Sequence, residues 1–143
     1  MLRVKRAYEP PARSDGYRVL VDRLWPRGLS KERAAIDEWM KDVAPSAQLR
    51  RWFGHDPKKW PEFQRRYRQE LRTRSDLIRH IARRASRGTV TLVYAARDEA
   101  HNDAVVLAAI VRARLRRSSG AMRKLKHQTT PGPGARRGLE ESP

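Results

Sequence analysis

The chain has 143 residues, of which 33 are lysine or arginine and 16 are aspartate or glutamate, so its formal net charge is +17 at pH 7. It contains no cysteine, which excludes disulfides, thiolate metal ligands and cysteine nucleophiles. The N-terminus has no apolar signal sequence, and the longest apolar run, Ala104–Val111, is far shorter than the roughly 20 residues of a membrane span. We therefore expect a cytoplasmic protein that does not enter a membrane.

Two predicted strands open the chain. Leu2–Tyr8 alternates apolar with basic residues, a pattern typical of an edge strand. Tyr17–Trp25 contains the continuous apolar run Val19–Val21, which indicates a strand buried on both faces. Such strands are typical of a sheet with helices above and below it.

Four helices are predicted next, and the first two begin at serine residues. Ser30 is the expected N-cap of the first helix. Its apolar stripe is formed by Ile36, Trp39, Met40 and Val43. Ser46 is the expected N-cap of a short second helix, which ends at Gly54.

The third and fourth helices are also marked by their ends. Asp56 and Pro57 predict the start of the third helix, because aspartate is a common N-cap and proline fits the first helical position. Its apolar stripe is formed by Trp60, Phe63, Tyr67 and Leu71. The fourth helix carries an apolar stripe between Leu77 and Ala85 and stops at Gly88.

The last strand, Thr89–Ala96, is apolar on both faces, and a final helix is expected from about Asp103. From Ser118 onward the sequence has no apolar periodicity and includes Pro-Gly-Pro-Gly, which predicts a disordered basic tail over residues 118–143. Residues 1–117 are therefore expected to form a single α/β domain. Its predicted fold is a small, mostly parallel sheet with helices on both faces, a Rossmann-like three-layer sandwich.

Two charged junctions follow the buried strands. Asp22, Arg23 and Arg27 come after the second strand, and Arg97 and the residues up to Asn102 come after the third. If these strands are parallel neighbours, both junctions lie at one edge of the sheet, where ligands of open α/β sheets bind. Arginine side chains and helix N-termini favour a bound anion, so the sequence predicts an anion- or phosphate-binding cleft.

The candidate residues fall into three roles. The expected anion-binding residues are Arg23, Arg27, Arg97 and Asn102. The candidate catalytic acid–base groups are His55, His101 and Asp22, with Asp22 also able to orient a guanidinium. The residues expected to line the cleft are Trp25, Ser46 and Tyr94. No metal ligand pattern or nucleotide-binding glycine loop is present, so no metal and no cofactor are expected.

Structural explanations compete with each of these roles. Asp22 with Arg23, and Arg97 with Asp98, are also typical of ion pairs that only anchor loops. Trp25 is typical of a packing residue. The stretch that contains His55 has the form of a turn between two helices, and whether the domain is an enzyme stays open.

A second functional hypothesis is a nucleic-acid-binding or regulatory module that uses the basic surface. The helix from Trp60 to Leu71 carries basic residues away from its apolar stripe. The charged loops after the second and third predicted strands are also compatible with a homo-oligomer contact. The candidate partners are therefore a small anionic ligand, nucleic acid, or a second copy of the chain.

The stretches DGYRVLVDRLWPRGLSKE and TLVYAARDEAHNDAVVLA resemble the YeaO-like group within domain-of-unknown-function family 488. The resemblance covers nearly all of Val4–Arg114 and implies a small bacterial α/β domain with no established activity. The family's motif blocks fall on the loops described above. More distant relatives have a Cys-His-Arg triplet near the start of the last helix, whereas this chain has His101-Asn102-Asp103 and no thiol. Cysteine-dependent chemistry is therefore not expected of it.

Overall fold

The computed structural model describes the backbone of residues 1–129 and the side chains of residues 1–120. Its sheet has four strands in the order β1-β4-β2-β3, and each neighbouring pair is parallel. The strands are β1 (Leu2–Arg6), β2 (Tyr17–Leu20), β3 (Glu38–Trp39) and β4 (Val90–Tyr94). The predicted edge position of the first strand and the parallel pairing of the two buried strands are confirmed.

Five α-helices accompany the sheet in the described part of the chain. They are α1 (Lys31–Ala34), α2 (Ala47–Phe53), α3 (Trp60–Leu71), α4 (Ser75–Arg87) and α5 (Asp103–Thr129). Short 3₁₀ turns occupy Arg13–Asp15, Lys41–Val43, Pro57–Lys59 and Arg72–Arg74. Together with the parallel sheet, these helices confirm the predicted small α/β fold.

The register of β2 against β4 determines which side chains share a face of the sheet. Tyr17 lies opposite Val90 and Leu20 opposite Val93, and alternate residues of a strand point to opposite faces. On one face, the guanidinium of Arg84 in α4 lies 3.6 Å from the centre of the Tyr17 ring. On the other face, Leu20 and Val93 are fully buried, and the hydrophobic residues packed against them are Trp25, Leu29, Ile36 and Trp39.

The prediction of a long first helix that begins at Ser30 is wrong. Ser30 does cap α1, since its side chain accepts a hydrogen bond from the Arg33 N–H, but the helix ends at Ala35 in a left-handed conformation with φ 50°. The predicted apolar stripe instead enters β3 and the following 3₁₀ turn. Trp39 pairs with Leu20 of β2, so the apolar spacing of a helix is met here by a strand and a turn.

The other predicted helix ends agree with the structure, with two differences. Ser46 accepts a hydrogen bond from the Leu49 N–H, and Gly54 ends α2 in a left-handed conformation. Asp56 accepts from the Lys58 N–H, although the turn it caps is 3₁₀ before α3 begins. Gly88 ends α4, but its backbone is extended.

The chain divides into two units, of which the first is Met1–Arg112 and the second begins at Ala113. The first contains the whole sheet, and its end lies close to the predicted domain boundary at Arg117. In the second, α5 continues to Thr129, so the structure has a helix where the sequence predicts the beginning of a disordered tail. Residues 130–143 of the predicted tail lie outside the described residues. Among the helices described, none combines the length and apolar character needed to cross a bilayer.

A buried ionic cluster ties β1 and β2 to the turn between them. Asp15 is fully buried, and its carboxylate lies 2.6 Å from Arg18 and 3.1 Å from Lys5. Arg18 also donates to the carbonyl oxygens of Ala34 and Ala35, which fixes the end of α1. Burial raises the pKa of Asp15, but hydrogen bonds from the Ala12 N–H, Lys5 and Arg18 outweigh it and hold this pKa below its usual value.

We predict that Asp15→Asn destabilises the fold by about 3–5 kcal/mol at neutral pH, because it leaves buried cations without their anion. Since the folded pKa of Asp15 is lowered, its contribution is present above the unfolded pKa and is lost as pH falls through the folded pKa. The difference between wild type and variant should therefore shrink in acid. Urea unfolding at several pH values measures this difference.

The matched control is Glu62→Gln, which removes the carboxylate of a surface pair with Arg65 and Arg66. Surface ion pairs contribute little to stability, so this variant should unfold almost as wild type does. Similar losses for Asp15→Asn and Glu62→Gln would contradict the role given to the buried cluster.

Candidate functional site

A cavity of about 660 Å³ opens where β2 and β4 end. Its walls come from the segment after β2, the segment after β4, the first residue of α5, and α2 with the residues on either side of it. Tyr8 and, from α3, Phe63 complete the lining. The parallel pairing of β2 with β4 brings the first two segments to the same edge of the sheet. This is the edge at which the sequence predicts a cleft.

Most of the predicted site residues meet at this cavity. Those that line it are Asp22, Arg23, Trp25, Arg27, His55, Arg97, His101 and Asn102. Ser46 and Tyr94 do not belong to its lining, which corrects the prediction for these two residues. Ser46 caps α2 and donates from its hydroxyl to Glu70 at 2.6 Å, and Tyr94 is only 3% exposed.

Three charged residues of the lining are not anticipated by the sequence analysis. Arg50 and Arg51 come from α2, whose prediction rests on Ser46 as its N-cap and on Gly54 as its end. Asp103 is the first residue of α5 and also lines the cavity. The sequence feature that could have identified Asp103 is its position directly after the polar segment that follows β4.

The arginines of the cavity have few protein partners. Five arginines line it: Arg23, Arg27, Arg50, Arg51 and Arg97. Within residues 1–120, whose side chains are described, none of the salt bridges involves any of them. The alternative of loop-anchoring pairs, Asp22 with Arg23 and Arg97 with Asp98, is therefore not what the structure has.

Arg23 is the most enclosed of these arginines. Its Nη2 donates to the carbonyl oxygen of Pro45 at 3.4 Å, which is a long hydrogen bond. Its Nε is buried and has no hydrogen-bond partner among the described residues. A buried donor without a partner is costly and rare, so an acceptor such as an ordered water or a ligand would stabilise this atom.

Asp22 and Asp103 form an acid pair in the cavity lining. The Oδ2 atom of Asp22 accepts a hydrogen bond from the Ala95 N–H at 2.9 Å, which ties the ends of β2 and β4 together. Asp103 lies within hydrogen-bonding reach of Asp22. Burial and the neighbouring charge of Asp22 raise the pKa of Asp103 well above its usual value.

The pKa of Asp22 is also raised by burial, although the hydrogen bond from Asp103, the Ala95 N–H and the charge of Arg50 oppose this rise. Two carboxyl groups in contact do not both ionise readily, because their charges repel. Each carboxyl group of the pair therefore opposes the ionisation of the other.

His101 is held in place by Asp98. Its Nδ1 lies 2.8 Å from the Asp98 carboxylate, and the same carboxylate accepts the backbone N–H groups of Ala100 and His101. The Trp60 ring contacts the His101 ring edge-on at 5.2 Å between centroids. An imidazole fixed at one nitrogen by a carboxylate keeps its other nitrogen available for a ligand.

Asn102 and Trp25 line the cavity but have structural partners. The Asn102 side chain donates to the Asp98 carbonyl oxygen and accepts from the Val105 N–H, so it organises the start of α5. The Trp25 indole donates to the Leu29 carbonyl oxygen and packs edge-on against Trp39. These contacts favour the structural alternative for both residues over direct ligand binding.

His55 lies in the tight turn after α2. Both Gly54 and His55 have left-handed backbones, with φ 52° and 58°, and this reverses the chain before Pro57. The His55 ring lies 6.3 Å from the Phe53 ring, centroid to centroid. Across residues 1–120, no group of three or more histidine and acidic side chains is arranged to hold a metal ion.

The fold and the cavity define a small α/β domain with an arginine-lined cleft at the carboxyl ends of parallel strands. The sequence profile described as the inactive DUF488-N3 subclade matches residues 1–130, so the chain belongs to this subclade of the DUF488 family. Its relatives include the uncharacterised protein YeaO of Escherichia coli strain K12, which is 41% identical over 107 residues, covering 75% of this chain and 93% of that protein.

The uncharacterised protein Rv3073c of Mycobacterium tuberculosis strain H37Rv is 42% identical over 113 residues, covering 79% of this chain and 95% of that protein. The uncharacterised protein Mb3100c of Mycobacterium bovis has the same identity and coverage. No solved structure matches the chain significantly. These findings confirm the resemblance to the YeaO-like group.

We predict that Asp103→Asn changes how stability depends on pH. A carboxyl with a raised folded pKa binds its proton more tightly in the folded chain, so it makes the wild type less stable as pH rises from about 3.9 through the folded pKa. The variant lacks this effect. Its stability relative to wild type should rise with pH, by at most about 1.4 kcal/mol per pH unit, in urea unfolding at stepped pH.

Asp98→Asn is the control with the opposite sign. Hydrogen bonds from the His101 side chain and the Ala100 N–H lower the pKa of Asp98, so its removal should make the variant lose stability relative to wild type as pH rises. Parallel pH profiles for wild type and Asp103→Asn would show that the acid pair does not exist in solution.

Proposed function

We propose that the cavity binds a small oxyanion, such as the phosphate group of a metabolite, and holds it without chemical turnover. The observation that carries this proposal is the convergence of five arginines on one cavity, with the Arg23 Nε buried and unpartnered. Guanidinium groups match phosphate and carboxylate geometry with paired N–H donors. Their hydrogen atoms are largely unused by the described part of the protein.

The charge balance of the lining supports an anionic ligand. The acidic residues of the lining are Asp22, Asp98 and Asp103. Asp98 is engaged by His101, and five arginines face these three carboxyl groups, so the arginines outweigh the negative charge. A partly enclosed site with an excess of one sign of charge attracts ligands of the opposite sign.

The size of the cavity supports a ligand larger than the anion alone. A volume of about 660 Å³ lies within the range of roughly 300–1,000 Å³ found for small-molecule sites. Phe53 and Phe63 form part of its wall, and their rings stack at 4.4 Å between centroids. An organic portion attached to the oxyanion would pack against these rings.

Binding without turnover is supported by the description of the subclade as inactive and by the lack of cysteine. In this proposal His101, oriented by Asp98, contacts the ligand through its second ring nitrogen and does not act as an acid or base. His55 stands at the rim in the same capacity. The acid–base roles considered from the sequence are therefore replaced by hydrogen bonding.

Nucleic-acid binding is the second candidate. On α3, Arg65 and Arg66 are both bound to Glu62, which weakens the basic face named from the sequence. The observation in its favour is on α4, where Arg79, Arg83 and Arg87 are exposed. This surface suits nonspecific attraction to phosphates, which depends steeply on salt.

We predict that inorganic phosphate raises the melting temperature of the wild type and that Arg23→Gln weakens phosphate binding about tenfold or more, the loss expected for a hydrogen bond to a charged group. Arg79→Gln removes the same charge from α4, outside the cavity, and should bind phosphate as wild type does. Thermal shift and calorimetric titration measure both effects.

Equal weakening by Arg23→Gln and Arg79→Gln would contradict a localised site. Binding to a DNA duplex that falls steeply with salt, is reduced by Arg79→Gln and is unaffected by Arg23→Gln would favour the nucleic-acid candidate instead.

A further inference from the structure

We propose that the Asp22–Asp103 pair makes the cavity selective for an oxyanion that carries a hydrogen atom, the phosphate class, over a fully ionised oxyanion such as sulfate. This inference rests on the proposed function, because it concerns which anion the arginines receive. It assigns to the two carboxyl groups a role in specificity that their charge alone does not suggest.

The two carboxyl groups are fixed among the arginines. Asp22 is anchored by the Ala95 N–H at 2.9 Å, and Asp103 by the Ala104 N–H at 3.0 Å. Both line the cavity, and Arg50 is close enough to Asp22 to favour its ionised form. An anion held by the arginines therefore contacts two carboxyl groups whose positions are fixed by backbone hydrogen bonds.

Toward the cavity, these two carboxyl groups accept hydrogen bonds and do not donate them. Asp103 and Asp22 lie within hydrogen-bonding reach of each other, and we place any proton that the pair holds between the two groups. The lone pairs that remain toward the cavity can only accept hydrogen bonds. A ligand oxygen that carries a hydrogen atom can donate to them. An oxygen without a hydrogen atom is only an acceptor and cannot form a hydrogen bond with them.

The other groups around the pair do not distinguish the two anions. Arg23, after β2, and Arg50, on α2, attract both through charge and N–H donors. Tyr67 of α3 is fully buried, and its hydroxyl donates to the Val43 carbonyl oxygen. Asp98 is engaged by His101. The proposal therefore assigns discrimination between anions of equal charge to Asp22 and Asp103.

Phosphate and sulfate provide a matched pair of probes. At about pH 8 inorganic phosphate is mostly a dianion, like sulfate, but keeps one hydrogen. Calorimetric titration of the full chain at equal ionic strength should give phosphate an affinity about tenfold or more above that of sulfate, the cost of an unmatched hydrogen bond to a charged group. The double variant Asp22→Asn, Asp103→Asn presents amide donors and should bind sulfate as well as phosphate.

Asp76→Asn is the control, because it makes the same substitution at an exposed position in the first turn of α4 and should keep the wild-type preference. Equal affinities of the wild type for the two anions would overturn this inference and leave the proposed function intact. Binding of neither anion would overturn both. If the double variant does not fold, the wild-type ratio alone decides, since a ratio near one contradicts the proposal.

Discussion

Backbone hydrogen bonds between β2 and β4 hold together two segments that are far apart in the chain, and the cavity exists only because of this pairing. The register that places Leu20 opposite Val93 also places Asp22 beside Ala95, where the carboxylate accepts the backbone N–H. The hydrophobic residues on both faces of these strands stabilise the pairing, since β4 is buried along its whole length. The chemistry at the strand ends therefore depends on apolar packing beneath it.

Two groups of charged residues in the described chain have different physical roles. Asp15 and Arg18 are buried and paired, so they fix the fold and leave nothing for a ligand. The arginines of the cavity lie beside a hydrophobic wall, lack carboxylate partners in the described residues, and include a buried Nε without an acceptor. A high positive charge is thus partly structural and partly concentrated at one site. The proposed function concerns only the second group.

Sequence patterns predict the structural features that depend on local contacts. They fail where contacts between residues distant in the chain determine the structure. Continuous apolar runs identify β2 and β4, and Ser30 and Ser46 are correct N-caps because capping is a local hydrogen bond. The helix expected after Ser30 stops at Ala35, since Arg18 binds the carbonyl oxygens there and Trp39 pairs with β2. In the same way, Ser46 is hydrogen-bonded to Glu70 and does not line the cavity. Asp103 and Asp22 are distant in the sequence and come together only in the folded chain.

In the proposed function the guanidinium of Arg23, whose Nε has no hydrogen-bond partner among the described residues, is part of an anion site. The most direct measurement is the ¹H–¹⁵N resonance of the Arg23 Nε–H group during a phosphate titration. The account predicts that this resonance moves more than those of the arginines on α4 and saturates with the anion, because its hydrogen atom gains an acceptor. An Arg23 resonance that stays fixed while the arginines of α4 shift together would contradict it.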